Sequence, residues 1–296
     1  MPPKTFLLLI LDGFGISPSH EFNAIEKASM PNWKFLWNNY PHVLLQASGS
    51  AVGLPDEQIG NSEVGHMTIG AGRPLPQDLV KITQALNQKK ELLKNPVMKE
   101  ALELGKNHPV HLIGLFSPGG VHSHEHHFYE MIKTFLDADC SDIYLHLFLD
   151  GRDVNPKSAL FSLEKLIDFC QNHPGVKVAS ICGRYYAMDR DERWERTELA
   201  YDLLTQGKAG FSADNALEAL NLAYARGETD EFVKPTWIKA GAAISDGDVV
   251  FFLNFRSDRV RQLSRAFLQK DFLGFLRKTL PALSLFLTMT HYDNLP

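Results

Sequence analysis

The sequence predicts an α/β fold built on a largely parallel sheet, and three observations lead to that prediction. The chain has 296 residues, 44% of them hydrophobic, enough to bury a substantial core in one large or two medium domains. From about residue 110 onward, short apolar runs alternate with amphipathic segments of helical length, the order typical of strands joined by crossover helices. The apolar runs are continuous, as expected of strands buried on both faces.

The individual elements follow from these runs. A first strand is predicted at residues 6–11, FLLLIL, because this apolar run ends in an Asp-Gly turn, and a helix is predicted around 23–38. The two prolines of RPLPQ, residues 73–77, indicate a domain boundary, so we predict domains at 1–76 and 77–296. Within the second domain, strands are predicted at 110–116, 143–149, 176–182 and 248–255, and helices at 125–136, 156–170, 191–204, around 217–224, and from 257.

Composition narrows the class of partner. The net charge is −5, with no block of like charge and no basic arm, which argues against a nucleic-acid or membrane surface, so any anion-binding site is expected to be local. The apolar run near the start is too short to span a bilayer and lacks the features of a signal peptide, so a cytoplasmic location is expected. Three widely spaced cysteines, Cys140, Cys170 and Cys182, are predicted to be reduced core residues.

Charged or histidine-rich segments follow five of the predicted strands. In open α/β sheets, ligands bind outside the carboxyl ends of the strands, so these segments predict a binding site there. The segments are Asp12 after FLLLIL, GGVHSHEHH after HLIGLF, DGRD after LHLFL, GRYYAMDRD after VASIC, and FRSDR after VVFFLN.

Five arginines fall in these segments although the chain is acidic overall. Guanidinium groups bind phosphate and carboxylate oxygens in a two-pronged geometry, so the set predicts a small substrate with more than one anionic group. The alternative is that each arginine forms an ion pair with a neighbouring aspartate, which remains open for any one of them. The arginines are Arg152, Arg184, Arg190, Arg256 and Arg259.

Ser62 lies in a glycine-bracketed segment, GNSEVGH (60–66), that is predicted to open a helix, where backbone N–H groups favour an anion beside the hydroxyl. Val64 replaces the second glycine of a G-x-S-x-G elbow. Coordination to a metal ion would activate this hydroxyl, and Asp12 is a natural oxygen ligand for that ion. The alternatives are that Ser62 is a helix N-cap and that Asp12 belongs to a simple Asp-Gly turn.

The histidine-rich run from His122 to His127, HSHEHH, is close to the H-x-H-x-D-H metal signature of metallo-β-lactamase-like hydrolases. His126, however, stands where that signature has aspartate. Clustered histidines also line helix starts without metal, so both interpretations are kept.

Six segments, taken together and in order, resemble those of the cofactor-independent phosphoglycerate mutase family. They are LDGFG (11–15), GNSEVGH (60–66), GGVHSH (119–124), DGRDV (150–154), GRYYAMDRD (183–191) and FRSDR (255–259). The resemblance implies an alkaline-phosphatase-like phosphatase domain, partial here, with an inserted α/β transferase domain. It also implies interconversion of 3-phosphoglycerate and 2-phosphoglycerate through a phosphoserine, with two divalent metal ions, usually Mn²⁺, and a monomeric enzyme.

The same resemblance assigns roles to individual positions. Ser62 is similar to the nucleophile that takes and returns the phosphoryl group and that contacts one metal ion, and Asp12 resembles a ligand of that ion. The cluster at His122 is implied to face substrate. The positions that match substrate-binding residues are His122, Arg152, Asp153, Arg184, Arg190, Arg256 and Arg259.

The resemblance departs at the last segment, MTHYDNLP (289–296), because the family continues there into the rest of the phosphatase domain, with a lysine and the remaining metal ligands. We therefore expect this chain alone to hold too few ligands for two ions and to be inactive. We also expect residues 1–76 to lack sheet partners and to expose core. Two other functions remain open: another phosphotransferase of the alkaline phosphatase superfamily, such as a phosphopentomutase, and a non-catalytic phosphoglycerate-binding protein.

Overall fold

The structure, a computed structural model, describes residues 4–56, 58–292 and 295. The chain divides between Val80 and Lys81 into two compact units. The assignment of residues 1–76 to a phosphatase domain and of 77–296 to a transferase domain stays a prediction.

The first unit is built from short helices. Its small buried cluster consists of Val52, Leu54 and Val64. The helices are α1 (Ala24–Lys27), α2 (Pro31–Asn39) and α3 (Ser62–Ala71), with a 3₁₀ turn at Gly49–Val52, and α4 (Asp78–Asn87) begins at the end of this unit.

The strand predicted at residues 6–11 is not formed, and that prediction was wrong. Its side chains are largely exposed, with Phe6 at 94% and Leu7 at 85%. A continuous apolar run becomes a buried strand only when neighbouring strands satisfy its backbone, and the described part of the first unit contains none. The helix predicted at 23–38 is interrupted before Pro31, because a residue that precedes proline disfavours the helical conformation.

The second unit contains a seven-stranded sheet in the order β4-β5-β3-β2-β1-β6-β7. All of its strand pairs are parallel except β3 with β5, which confirms the predicted parallel character. The chain runs outward from β1 to β3 and later returns to the other side of β1 as β6. The strands are β1 (Val110–Leu115), β2 (Ile143–Leu149), β3 (Val176–Gly183), β4 (Phe211–Ala213), β5 (Thr236–Ile238), β6 (Val249–Phe252) and β7 (Leu285–Thr288).

Helices cover both faces of this sheet. The predicted helix at 125–136 and the strands near 110, 143, 176 and 249 are confirmed, whereas β4, β5 and β7, of three or four residues each, were not predicted. No helix within the described ranges is long and apolar enough to cross a membrane. The helices are α5 (Lys89–Leu92), α6 (Pro96–Gly105), α7 (Glu125–Leu136), α8 (Ala159–Gln171), α9 (Arg184–Ala187), α10 (Trp194–Gln206), α11 (Ala216–Ala225) and α12 (Arg261–Leu268), with a 3₁₀ turn at Asp230–Phe232.

The core of the second unit has two layers, one on each face of the sheet. Successive residues of β1 point to opposite layers, so Leu112 packs in one and Ile113 in the other, both fully buried. This is why the central strands read as continuous apolar runs. The cysteines are free thiols in this interior: Cys140 and Cys182 are buried and Cys170 is half-buried, as predicted.

A row of buried polar side chains crosses the middle of the sheet. His111 on β1 contacts Asp248, which precedes β6, at 3.0 Å, and His146 on β2 at 2.9 Å. His146 in turn contacts the hydroxyl of Ser180 on β3 at 2.8 Å. Burial lowers the pKa of His146 well below its usual value, and the nearby His111 lowers it further. Each ring nitrogen in this row therefore has a partner, which offsets the cost of burying it.

Another buried histidine, His127 on α7, contacts the hydroxyl of Thr83 on α4 through Nε2 at 2.8 Å. Burial lowers the pKa of His127 to about 3, with His124 and His126 adding to the effect. The folded state therefore keeps this imidazole neutral, whereas the unfolded chain protonates it near pH 6.5. Below that pH the unfolded state binds more protons, so stability falls as pH falls.

We expect the substitution His127→Gln to flatten this pH dependence, because glutamine still reaches Thr83 but does not titrate. Between pH 7 and pH 5, the free energy of unfolding of the wild-type chain should fall by about 2 kcal/mol more than that of the variant. Urea unfolding followed by circular dichroism at both pH values measures the difference. An equal loss of unfolding free energy between pH 7 and pH 5 in the two proteins would contradict the assignment of a neutral, buried His127.

Candidate functional site

Four of the predicted polar segments come together at the carboxyl edge of the sheet in the second unit. They follow β1, β2, β3 and β6, which are neighbours in the sheet order. The segments after β1 and β6 flank the point where the strand order changes direction, the usual ligand position in such sheets. The backbone carbonyl of His122 accepts hydrogen bonds from Phe255 N–H at 2.8 Å and from Arg256 N–H at 3.3 Å, which join these two segments.

Arg184 lies at the centre of this edge and is only 3% exposed. Its Nη1 donates to Asp150 Oδ1 at 2.7 Å and to Asp153 Oδ2 at 2.5 Å. Burial would raise the pKa of Asp150, but hydrogen bonds from Asp153 N–H, the Ser117 hydroxyl and Arg184 outweigh it and leave the pKa lowered. The segment after β2 is therefore held in place by a buried cation that starts after β3.

Asp258 holds together a second group of charged side chains at this edge. Its Oδ2 accepts from Arg190 Nη1 at 2.9 Å, and its Oδ1 lies 3.3 Å from Arg256 Nε. The same Oδ1 lies 3.5 Å from Nδ1 of His122. Asp258 thus joins side chains from the segments that follow β1, β3 and β6.

His122 is buried between the carboxylates of Asp153 and Asp258. Its Nε2 lies 3.8 Å from Asp153 Oδ2, on the side opposite Asp258. The pKa of His122 is lowered to about 4, mainly by burial and next by the charge of Arg184, against the opposing effect of the carboxylates of Asp258 and Asp153. The imidazole is therefore neutral at physiological pH.

A polar cavity of about 350 Å³ opens beside these groups. Among the described residues, Arg259 forms no hydrogen bond or ion pair, although it lines this cavity. Partial burial lowers the pKa of Arg259, and the positive charges of Arg190, Arg184 and Arg152 add to the effect. An anion that entered the cavity would relieve this repulsion. The lining residues are Arg152, Arg184, Tyr185, Met188, Asp189, Arg190, Asp191, Arg196, Glu231, Phe232 and Arg259.

Two charged residues that line this cavity were missed by the sequence analysis. Arg196 lies on α10 with its guanidinium 3.9 Å from the centroid of the Tyr185 ring and 3.1 Å from Asp189 Oδ2. Glu231 lies in the 3₁₀ turn before β5 and contacts Arg152 Nη1 at 3.4 Å. Neither directly follows a predicted strand, so the rule that identified the others does not reach them.

The alternative in which each arginine pairs with its own neighbour describes the site poorly. Arg184, Arg190 and Arg152 contact carboxylates from other segments of the chain, and only Arg256 pairs within its own segment. The ion pairs thus assemble one site from several strand ends.

Ser62 and Asp12 lie in the first unit, and the structure brings them together. Ser62 Oγ donates to Asp12 Oδ2 at 2.6 Å. Ser62 is the first residue of α3, whereas the N-cap is Asn61, whose side chain accepts from Val64 N–H at 3.1 Å. The N-cap alternative for Ser62 was therefore wrong. His66, one turn later, places Nδ1 3.3 Å from the Ser62 hydroxyl.

The fit of this pair to a metal ion is partial. A carboxylate and a hydroxyl are the oxygen donors that a hard divalent cation prefers, but such an ion takes about six ligands. Within the described ranges, no group of three or more His, Cys, Asp or Glu side chains is arranged to hold a metal ion. That statement covers the histidine-rich run as well, where His124 Nδ1 accepts from His126 N–H at the start of α7.

Comparisons with known proteins identify the family. The family model described as the BPG-independent phosphoglycerate mutase N-terminus matches residues 82–294. The chain belongs to this family. It is 53% identical to the 2,3-bisphosphoglycerate-independent phosphoglycerate mutase of Coxiella burnetii (strain Dugway 5J108-111), over 98% of this chain and 57% of the relative. It is 51% identical to the enzyme of the same name from Legionella pneumophila (strain Philadelphia 1), over 97% of this chain and 56% of the relative.

A crystal structure of Leishmania mexicana phosphoglycerate mutase, determined at low cobalt concentration, has the same fold as this mutase-family chain. The TM-score is 0.77 at 32% identity, over 96% of this chain and 55% of the other. The chain thus spans a little over half the length of the relatives it matches. The family resemblance identified from six sequence segments is confirmed.

Removing Arg184 should destabilise the fold. In Arg184→Met, the carboxylates of Asp150 and Asp153 lose their shared cation in a buried setting, so we expect a loss of about 3–5 kcal/mol in the free energy of unfolding. Arg190→Met is the matched control: its side chain is 47% exposed, so a change below about 1 kcal/mol is expected. Urea unfolding of both variants measures this, and similar stabilities would contradict the structural role of Arg184.

Proposed function

We propose that this chain provides the phosphoglycerate-binding part of a 2,3-bisphosphoglycerate-independent phosphoglycerate mutase, which interconverts 3-phosphoglycerate and 2-phosphoglycerate. The observation that supports this most strongly is the cavity lined by Arg259, Arg190, Arg184 and Arg152, in which Arg259 has no ion-pair partner among the described residues. A phosphoglycerate carries a phosphate and a carboxylate, and a cavity with several guanidinium groups suits a ligand with two anionic groups.

The remaining site residues have chemistry suited to the rest of the substrate. His122 and Asp153 face each other across 3.8 Å and offer polar atoms to the glycerate hydroxyl. Arg256 and Arg190 share Asp258 as their counterion, and an anionic ligand would compete with that carboxylate for them. We assign substrate binding to His122, Arg152, Asp153, Arg184, Arg190, Arg256 and Arg259.

In the proposed reaction Ser62 is the nucleophile that takes the phosphoryl group as a phosphoserine and returns it to the other hydroxyl. Ser62 begins α3, and backbone N–H groups in the first turn of a helix favour an anion, which supports this role. Asp12 Oδ2 accepts a hydrogen bond of 2.6 Å from the Ser62 hydroxyl, and this hydrogen bond orients Oγ. Two divalent ions, for which Mn²⁺ is our choice, would lower the pKa of the hydroxyl and neutralise the phosphoryl oxygens, with Asp12 and Ser62 as ligands of one of them.

A second candidate function is binding of phosphoglycerate without turnover. The small number of metal donors beside Ser62 among the residues that the structure describes supports this candidate. We further propose that the protein acts in the cytoplasm as a monomer.

Binding is tested by titrating 3-phosphoglycerate into the chain in a calorimeter. We expect saturable binding, and we expect Arg259→Met to weaken it by about 10- to 100-fold, the cost of losing hydrogen bonds to a charged group. Arg265→Met is the matched control, because Arg265 lies on α12 but lines a different cavity. Absence of binding by the wild-type chain, or equal losses in both variants, would overturn the assignment of the arginine-lined cavity.

Turnover is a separate measurement. With 3-phosphoglycerate and added Mn²⁺, we expect this 296-residue chain to form no 2-phosphoglycerate, since in its described part Asp12 and Ser62 offer two of the roughly six ligands that a divalent ion takes. A coupled assay for 2-phosphoglycerate checks this result. Formation of product that is lost in Ser62→Ala would show instead that the chain is a complete catalyst.

A further inference from the structure

Two buried polar atoms in the site face each other without a hydrogen bond. Nδ1 of His122 and Oδ1 of Asp258 are both inaccessible to solvent and neither forms a hydrogen bond, although Oδ1 is ion-paired with Arg256 Nε at 3.3 Å. Nδ1 and Oδ1 lie 3.5 Å apart. Since buried polar atoms almost always have a partner, and these two are complementary in chemistry, the simplest pairing is with each other.

Hydrogen bonds between the two segments already hold His122 and Asp258 close to each other. The His122 carbonyl accepts from Phe255 N–H and Arg256 N–H, so the segment that carries Asp258 is already anchored to His122. The hydroxyl of Ser123 donates to the carbonyl of Leu253 at 3.2 Å, a further link between the segments. A shift of a few tenths of an ångström would bring the Nδ1 to Oδ1 distance into the range of about 2.7–3.2 Å for a hydrogen bond.

Nε2 of His122 has a less favourable acceptor for its proton than Nδ1 has. Nε2 lies 3.8 Å from Asp153 Oδ2, and that oxygen already accepts from Arg184 at 2.5 Å. The charges that face His122 are the carboxylates of Asp153 and Asp258 and the guanidinium groups of Arg184 and Arg256. A neutral imidazole has one N–H, so the two nitrogens compete for it.

We propose that Asp258 is a positioning residue that sets the tautomer of His122. The proton resides on Nδ1 and is donated to Asp258, and Nε2 is left as a hydrogen-bond acceptor directed toward Asp153. Two acceptors, Nε2 and Oδ2, then lie 3.8 Å apart, and a hydroxyl that approaches both from the cavity donates its hydrogen to one of them. Asp258 also holds Arg190 and Arg256, so one carboxylate positions the cationic and the neutral parts of the site together.

This inference rests on the proposed function for its consequence in binding. If the donor is the hydroxyl of phosphoglycerate, the site selects for that hydroxyl, because a ligand without it leaves Nε2 of His122 without a hydrogen-bond donor. The wild-type chain should therefore bind 3-phosphoglycerate at least about tenfold more tightly than the deoxy analogue 3-phosphooxypropanoate. In Asp258→Ala, affinity for both ligands should fall and the ratio between them should decrease.

The tautomer itself is measured without any ligand, by ¹⁵N–¹H correlation spectra of the imidazole rings, with His122 assigned from the resonances lost in His122→Gln. We expect the Nδ1–H tautomer in the wild-type chain and a move of the proton to Nε2 in Asp258→Ala. Asp153→Asn is the matched control, because it removes the other facing carboxylate, and it should retain Nδ1–H. Unchanged resonances of the buried pair His111 and His146 report that each variant is folded.

Two outcomes overturn the proposal: an Nε2–H tautomer in the wild-type chain, or an Nδ1–H tautomer that persists in Asp258→Ala. Failure of the proposed function has a different signature, namely a wild-type chain that binds neither ligand while the tautomer still depends on Asp258. A purely structural role for Asp258 would lower thermal stability without moving the imidazole proton.

Discussion

The buried ion pairs that Arg184 forms with Asp150 and Asp153 determine the geometry of the site. An isolated charge in this position would cost several kcal/mol, so each of the three groups depends on the other two. Because they come from the ends of β2 and β3, the pairing fixes two neighbouring loops at once. The segments after β1 and β6 are joined separately, through the His122 carbonyl, and Asp258 connects the two pairs of loops.

One consequence of this arrangement is that the arginines of the site differ in what they do. Arg184 is buried and its Nη1 donates to two carboxylates, so it belongs as much to the fold as to the ligand site. Arg190 and Arg256 share one carboxylate and are more exposed, which leaves them able to exchange partners. Arg259 lines the cavity with no partner among the described residues and is the group most in need of an anion.

The sequence was sufficient to predict the parallel sheet, the longer helices that pack on it and the residues at the strand ends. Residues such as Arg152 and Arg256 were accessible to prediction because they directly follow apolar runs that become strands. Glu231 was not, because it precedes a three-residue strand too short to give a pattern, and Arg196 was not, because it lies inside a helix. The strand predicted at residues 6–11 failed for another reason: an apolar run specifies burial, but its neighbours decide whether a sheet forms.

The buried row from Asp248 through His111 and His146 to Ser180 has a consequence for how the sheet assembles. Strands that are apolar on both faces carry little information about alignment, since a shift by one or two residues still places hydrophobic side chains in the interior. A shifted strand, however, would bury a histidine beside an aliphatic side chain and leave its nitrogens without partners. These four polar groups therefore favour one register of β1, β2 and β3 over the shifted ones. In that register the strand-end arginines lie at the same edge of the sheet.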